Sequence, residues 1–252
     1  GYAALSAEDT GTRNVAIGNE ALKVLNYDGA GYNVAVGHRA GYALTTGTVN
    51  TFIGAFAGGA TDDGTRNVVL GYGAMDTGNA GDDNIAIGYG ALQDTTASGN
   101  IAIGSSAMIQ HTTGVRNIAI GQAAMGDTDA GSTSLGSSDN VFIGYTAGGG
   151  TWTDAVSANN VAIGIESLHS NMDSSYNLAI GSQSLFNNLA SDNTAIVYKS
   201  SYSNTIGKNN INIGKFSSYL NNEGNGIIAI GNEALYSNDS SFNIAIGHQS
   251  LF

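Results

Sequence analysis

One pentad sets the architecture of this chain. Asn14-Val15-Ala16-Ile17-Gly18 returns at Asn33, Asn50, Asn67, Asn84, Asn100, Asn117, Asn140, Asn160, Asn177, Asn193 and Asn210, and in looser form at Ile227 and Asn243. That makes fourteen copies spaced 16 to 23 residues apart, most often 17. With the Asn counted as position 0, position +1 is Val, Ile, Leu or Thr throughout, and position +3 is Ile except at Val36 and Leu70. Position +4 is Gly except at Val197, +7 is always Ala or Ser, and +8 is Leu, Met, Gly or Ser. A polar stretch such as Asp94-Thr95-Thr96-Ala97-Ser98-Gly99 then leads to the next copy.

The pentad is extended rather than helical. Its β-branched residues alternate, as on one face of a strand, and 17 residues have no room for a helix as well as two extended segments and two turns. Each copy therefore reads as strand, Gly bend, short second strand and turn. A unit this short cannot bury its own apolar face, so the copies must stack and share a core. The expectation is an all-β parallel β-solenoid of about fourteen coils, roughly 65–70 Å long at about 4.8 Å per coil. A hexapeptide triangle needs a third apolar position near +14 or +15, where this chain has pairs such as Gly81-Asp82. A flat, two-sided roll is expected instead, with one elastic side, as a single repeat domain over residues 1–252.

The residues at +1 and +3 are the expected inward set. They include Ile17, Ile53, Ile87, Ile103, Ile120, Ile163, Ile180 and Ile246. Position +2 points the other way, yet it is Ala in ten copies, Phe52, Val69 and Phe142 in three, and polar only at Asn212. A strand apolar on both faces is buried on both. The expected oligomer contact is therefore the small-residue column Ala16, Ala35, Ala86, Ala102, Ala119, Ala162, Ala179, Ala229 and Ala245. Parallel, in-register association through it would close the symmetry without leaving a sticky face.

Stretches such as Asn84-Ile85-Ala86-Ile87-Gly88-Tyr89-Gly90-Ala91-Leu92 resemble the head repeats of trimeric autotransporter adhesins. They also resemble repeats of phage tail fibres. The resemblance implies a YadA-like left-handed parallel β-roll assembled as a homotrimer. It implies an extracellular fibre segment that meets a host-cell receptor or glycan, on a virion tail fibre first and on a bacterial surface second. Gly1-Tyr2-Ala3-Ala4-Leu5 matches positions +4 to +8 of a coil lacking its pentad, and Leu251-Phe252 falls mid-coil, so a longer fibre is expected.

Composition narrows the chemistry. Eight Lys and Arg face 20 Asp and Glu, a net charge of −12 that repels phosphate, so neither nucleic acid nor anionic membrane is an expected partner. Cysteine is absent, which removes disulfides and thiolate metal sites. No apolar run approaches the length needed to span a membrane. The histidines His38, His111, His169 and His248 follow no metal-ligand spacing and read as exposed turn residues. Asp62-Asp63, Asp82-Asp83, and Asp127 with Asp129, read as solvated turns rather than calcium ligands, because the Gly-Gly-x-Gly-x-Asp pattern is missing. No cofactor, no metal and no catalytic residue is expected. Stacked Asn at position 0 suits a hydrogen-bond ladder between coils.

Tyr72, Tyr89, Tyr145 and Tyr198 share position +5, where rings can pack coil against coil or face a sugar. Trp152 is the single Trp and lies in a long spacer beside Asp154. Loops on a rigid scaffold often carry binding, so Trp152, Tyr145 and Asp154 are the candidate receptor contacts. Trp152 equally suits a plug at the base of its own loop. A surface-binding solenoid, such as an ice binder, is the alternative of another class. It would need Thr at fixed offsets, and Thr here is scattered.

Overall fold

The computed structural model describes all residues except Asp9, Thr112, 127–135, 151–155 and 171–173. Its elements are β-strands of three residues each, and no helix occurs among the described residues. The chain divides into two compact units, Gly1–Gln122 and Ala123–Phe252. Unit 1 contains β1 (Val15–Ile17), β2 (Val34–Val36), β3 (Thr51–Ile53), β4 (Val68–Leu70), β5 (Ile85–Ile87), β6 (Ile101–Ile103) and β7 (Ile118–Ile120). Unit 2 contains β8 (Val141–Ile143), β9 (Val161–Ile163), β10 (Leu178–Ile180), β11 (Thr194–Ile196), β12 (Ile211–Ile213), β13 (Ile228–Ile230) and β14 (Ile244–Ile246). Within each unit every strand pairs in parallel with the next copy and in strict repeat register. Ala16 lies beside Ala35 and Ala86 beside Ala102, as Phe142 lies beside Ala162 and Ala229 beside Ala245. Each unit is thus a parallel β-solenoid, as the repeat requires.

The two faces of the strands are reversed from the expectation. Ala35, Ala86, Ala102, Ala119, Ala162, Ala179 and Ala229 have no accessible surface in the lone chain, Ala245 has almost none, and Ala16 in the first coil is half-buried. All but Ala16 fill the interior of their own solenoid and leave no surface for another chain to meet. The Ile residues at +3 lie outside instead. Ile17 is 59%, Ile53 41%, Ile120 36%, Ile163 38% and Ile246 69% exposed, while Ile87, Ile103 and Ile180 are half-buried.

The reason is steric. A three-residue strand points one side chain inward, and across the core from it lie +7 and +8. Ala21, Ala40, Ala74, Ala91 and Ala107 at +7, with Leu22, Met75, Leu92 and Met108 at +8, are fully buried. The large +8 side chain takes the space that +2 leaves. Where +2 is Phe, +8 is Gly. A Cβ added to Gly58 would lie 2.3 Å from the Phe52 ring, one on Gly41 2.7 Å from Leu22 and 2.8 Å from Phe52, and one on Gly148 2.9 Å from Phe142. Asn212 follows the same rule with Ser201 and Ser218 at +8, all three buried.

The segment after the bend differs from the expected second strand. It is a run of turns in which +6 and +8 take positive φ, as at Glu20 (55°) and Leu22 (47°). These turns still bond coil to coil, with Leu22 N–H donating to Ala40 O at 3.0 Å and Gly41 N–H to Ala57 O at 2.9 Å. The Gly at +4 is required by both space and backbone. Gly18 has φ 137°, and a Cβ there would sit 2.3 Å from Gly37 O.

A third inward position exists at +11. It holds Leu25 and Leu44, then Thr61, Thr95, His111, Asn188, Asn204 and Asn221. His111 is therefore buried rather than an exposed turn residue, and its Nε2 lies 3.0 Å from Gly114 O and from Asn117 Nδ2.

The Asn ladder takes the expected form, with a defined pair of bonds at each rung. Asn50 Oδ1 accepts the N–H of Asn67 at 2.9 Å, and Asn50 Nδ2 donates to Gly64 O at 2.8 Å. The same pair recurs from Asn33, Asn67, Asn84, Asn100, Asn160, Asn193 and Asn210. Each amide therefore satisfies two buried backbone groups, one on either side of the turn.

Candidate interaction surfaces

The sheet face of each unit is an apolar surface made by the +1 and +3 columns. In unit 1 it carries Val15, Ile17, Ile53, Val68 and Ile120, and in unit 2 Ile163, Ile211, Ile244 and Ile246, all exposed. The intervening residues of the same columns are half-buried for the most part. Register stacks these side chains directly above one another, so each unit presents a continuous strip of β-branched residues. Contiguous exposed apolar strips are uncommon on monomers and mark interaction surfaces.

Aromatic residues form two columns beyond the bend. In unit 1, His38, Phe56, Tyr72 and Tyr89 follow one another at centroid distances of 5.1, 5.7 and 5.8 Å, the last two rings being parallel within 5°. Tyr72 and Tyr89 therefore pack coil against coil. Tyr198 meets Phe216 edge-on at 5.7 Å. Tyr145 is 50% exposed in unit 2. Trp152 and Asp154 lie outside the described residues, as do Asp127 and Asp129.

Unit 2 holds a longer ladder that sequence reasoning missed. His169, Phe186, Tyr202, Tyr219, Tyr236 and Phe252 stack at 5.0 to 5.3 Å with interplanar angles of 5° to 29°. All six occupy position +9. The column is readable once the repeats are aligned beyond +8, where each coil from Asn160 onward has a ring. Stacking half-buries His169, and that desolvation pushes its imidazole below the usual histidine range. Beside the ladder runs an open groove of about 420 Å³ lined by Ser170, Asn187, Leu189, Ser203, Thr205 and Asn222.

Charged groups are mostly engaged within the chain. Glu20 receives Lys23 Nζ at 2.6 Å and Arg39 Nε at 2.7 Å, and hydrogen bonds from Lys23 and Arg39 hold its carboxyl below the usual range. Tyr42 underlies both cations, at 5.4 and 4.9 Å. Arg66 ties Asp83 at 2.6 Å and Asp82 at 3.3 Å, so that acidic pair neutralises a guanidinium. No cluster of three His, Asp or Glu with metal-binding geometry occurs among the described residues. Lys199 and Lys215, unlike Lys23, Arg39 and Arg66, form no ion pair among the described residues. They lie over aromatic rings, Lys199 at 5.4 Å from Tyr198 and 5.0 Å from Tyr202, and Lys215 at 4.9 Å from Phe216.

Comparison with protein-family models, with curated proteins and with solved structures returns no significant match.

Proposed function

We propose that this chain is a structural and adhesive segment of an extracellular fibre, assembled as a parallel homotrimer of two-sided left-handed rolls. A phage tail fibre is the leading setting and a bacterial trimeric surface adhesin the second. The handedness, the cross-section and the number three come from the resemblance of the repeats to adhesin heads and tail fibres. The single observation that carries the reading is the exposed +1/+3 strip of each unit. In-register columns of Val and Ile suit a mate with the same repeat, because like coils then meet at equal height. Burying such a strip contributes about 25 cal/mol per Å², and the gain accumulates with every coil. On this reading the chain is not an enzyme, and its partners are its own copies and a host-surface receptor or glycan.

The test is a pair of substitutions on the outer strand face, one in each unit. Ile53→Lys with Ile163→Lys places ammonium groups on the outer strip, where a lone chain leaves them in water. The expected result by light scattering and circular dichroism is a folded β-rich monomer replacing a trimer. A wild-type chain that is monomeric at all accessible concentrations, or a double Lys variant that remains trimeric, would sink the proposal.

A further inference from the structure

We propose that unit 2 carries a binding site for an acidic saccharide, formed by Lys199, Lys215 and the groove beside the +9 ring ladder. This deepens the fibre reading and rests on it for the cell surface to which such a ligand would belong. The chemistry of the site stands on separate observations.

The first is charge. The chain carries −12 overall, yet residues 193–222 contain three Lys and neither Asp nor Glu. Two of these lysines, Lys199 and Lys215, stand on successive coils just past the bend. Neither forms an ion pair with a carboxylate among the described residues. Carboxylates on nearby coils have other partners: Glu166 accepts from Gln183 Nε2 at 2.6 Å, Glu233 from Gln249 Nε2 at 2.8 Å, and Asp239 from the Asn222 N–H at 2.7 Å. Both ammonium groups lie close to aromatic rings, 5.0 Å from the Tyr202 centroid and 4.9 Å from that of Phe216, which positions them without neutralising them.

The second is the groove. Lys199 lies over Tyr202, Tyr202 stacks on Phe186 and Tyr219, and the residues following Tyr202 and Phe186 in the chain, Ser203 and Asn187, line the groove. Asn222 lies two coils on from Asn187. The side-chain amides of Asn187 and Asn222 and the Ser203 hydroxyl make no hydrogen bond to any described residue, and Thr205 Oγ1 donates to Asn222 O at 3.1 Å. The result is a row of neutral donors and acceptors on successive coils along the ring ladder, and the ladder ring Tyr202 also meets Lys199. A sugar chain offers the matching set: hydroxyls at a spacing close to the coil step, and carboxylates for the ammonium groups. The ring faces are taken up by their own stacking, so a sugar meets their edges. Nucleic acid suits the site less well, since the ladder rings are stacked on one another and leave no face for a base.

The experiment is titration calorimetry of the assembled chain with an oligogalacturonate and with the neutral oligogalactose of equal length. The expected result is binding of the carboxylated oligomer only, weakened by added salt. The Lys199→Gln, Lys215→Gln double variant should bind at least tenfold more weakly with its mass and dichroism unchanged, and Asn187→Ala with Asn222→Ala should also weaken it. The proposal is overturned if wild type ignores the oligogalacturonate, or if the double Gln variant binds it equally. It is also overturned if oligothymidylate of the same charge binds as tightly, because the site would then be charge alone. A monomeric chain that still binds the saccharide would refute the fibre reading and leave the site standing.

Discussion

Phe52 and Gly58 give the sharpest test of how these coils are filled. Phe52 is fully buried at +2, and a Cβ on Gly58 would lie 2.3 Å from its ring. Phe52→Ala should cost about 3–5 kcal/mol through lost transfer free energy and an unfilled cavity. Gly58→Leu alone should also destabilise, by about 1–3 kcal/mol, because the added side chain overpacks against the ring. Together they recreate the pairing that other coils already use, Ala at +2 with Leu at +8, as in Ala16 with Leu22. Position +8 tolerates Leu at positive φ in those coils, at 47° for Leu22 and 50° for Leu92 against 62° for Gly58. Burying the new Leu returns about 1.5–3 kcal/mol, and removing a Gly also lowers the entropy of the unfolded chain. The double variant should therefore lie about 1–2 kcal/mol below wild type. The remaining deficit reflects Gly41, which leaves the other side of the Phe52 site open. Guanidinium titrations followed by circular dichroism, at one fixed chain concentration, supply the four corners of the cycle. The reasoning requires a coupling of at least about 2 kcal/mol in the favourable direction. Additive losses would refute it, since they would mean that +2 and +8 do not share one space.

Asn50→Ala should cost about 2–4 kcal/mol, because it strands the Asn67 N–H and the Gly64 carbonyl in the interior, and amide exchange at Asn67 should accelerate. Val197→Gly should stabilise by about 1 kcal/mol: Val197 holds φ 92° where other coils have Gly, and relief of that strain exceeds the added chain entropy. The His169 imidazole is pushed below its ordinary range by burial, so the unfolded chain binds its proton more readily than the folded one. The stability it contributes is complete above the unfolded value near 6.5 and is lost as pH falls through the folded value. His169→Phe should flatten that part of a melting-temperature profile taken between about pH 7 and 5, the range around an ordinary histidine.

The period, the three-residue strands, the Gly bend and the Asn ladder were all legible in the sequence. Each is a local or nearest-neighbour property, and repetition writes it fourteen times. The +9 ring column was equally available and needed only a longer alignment of the coils. The groove beside it was not, because its walls combine residues from four coils at two offsets.

Strand alternation determines that +1 and +3 oppose +2, and nothing in the pentad says which side is inward. Residue hydrophobicity points to Val and Ile, and in the folded chain those are the exposed ones. The tertiary structure decides it, because the inward strand residue must share a narrow interior with the +8 side chain of the same coil. Leu there is matched only by Ala, and Met by Ala or, at Met75, by Val69. Phe52, Phe142 and Asn212 enter only opposite Gly or Ser. That inverse pairing of sizes is the one trace in the sequence of which face turns inward, and it acquires meaning only once the two positions are known to touch.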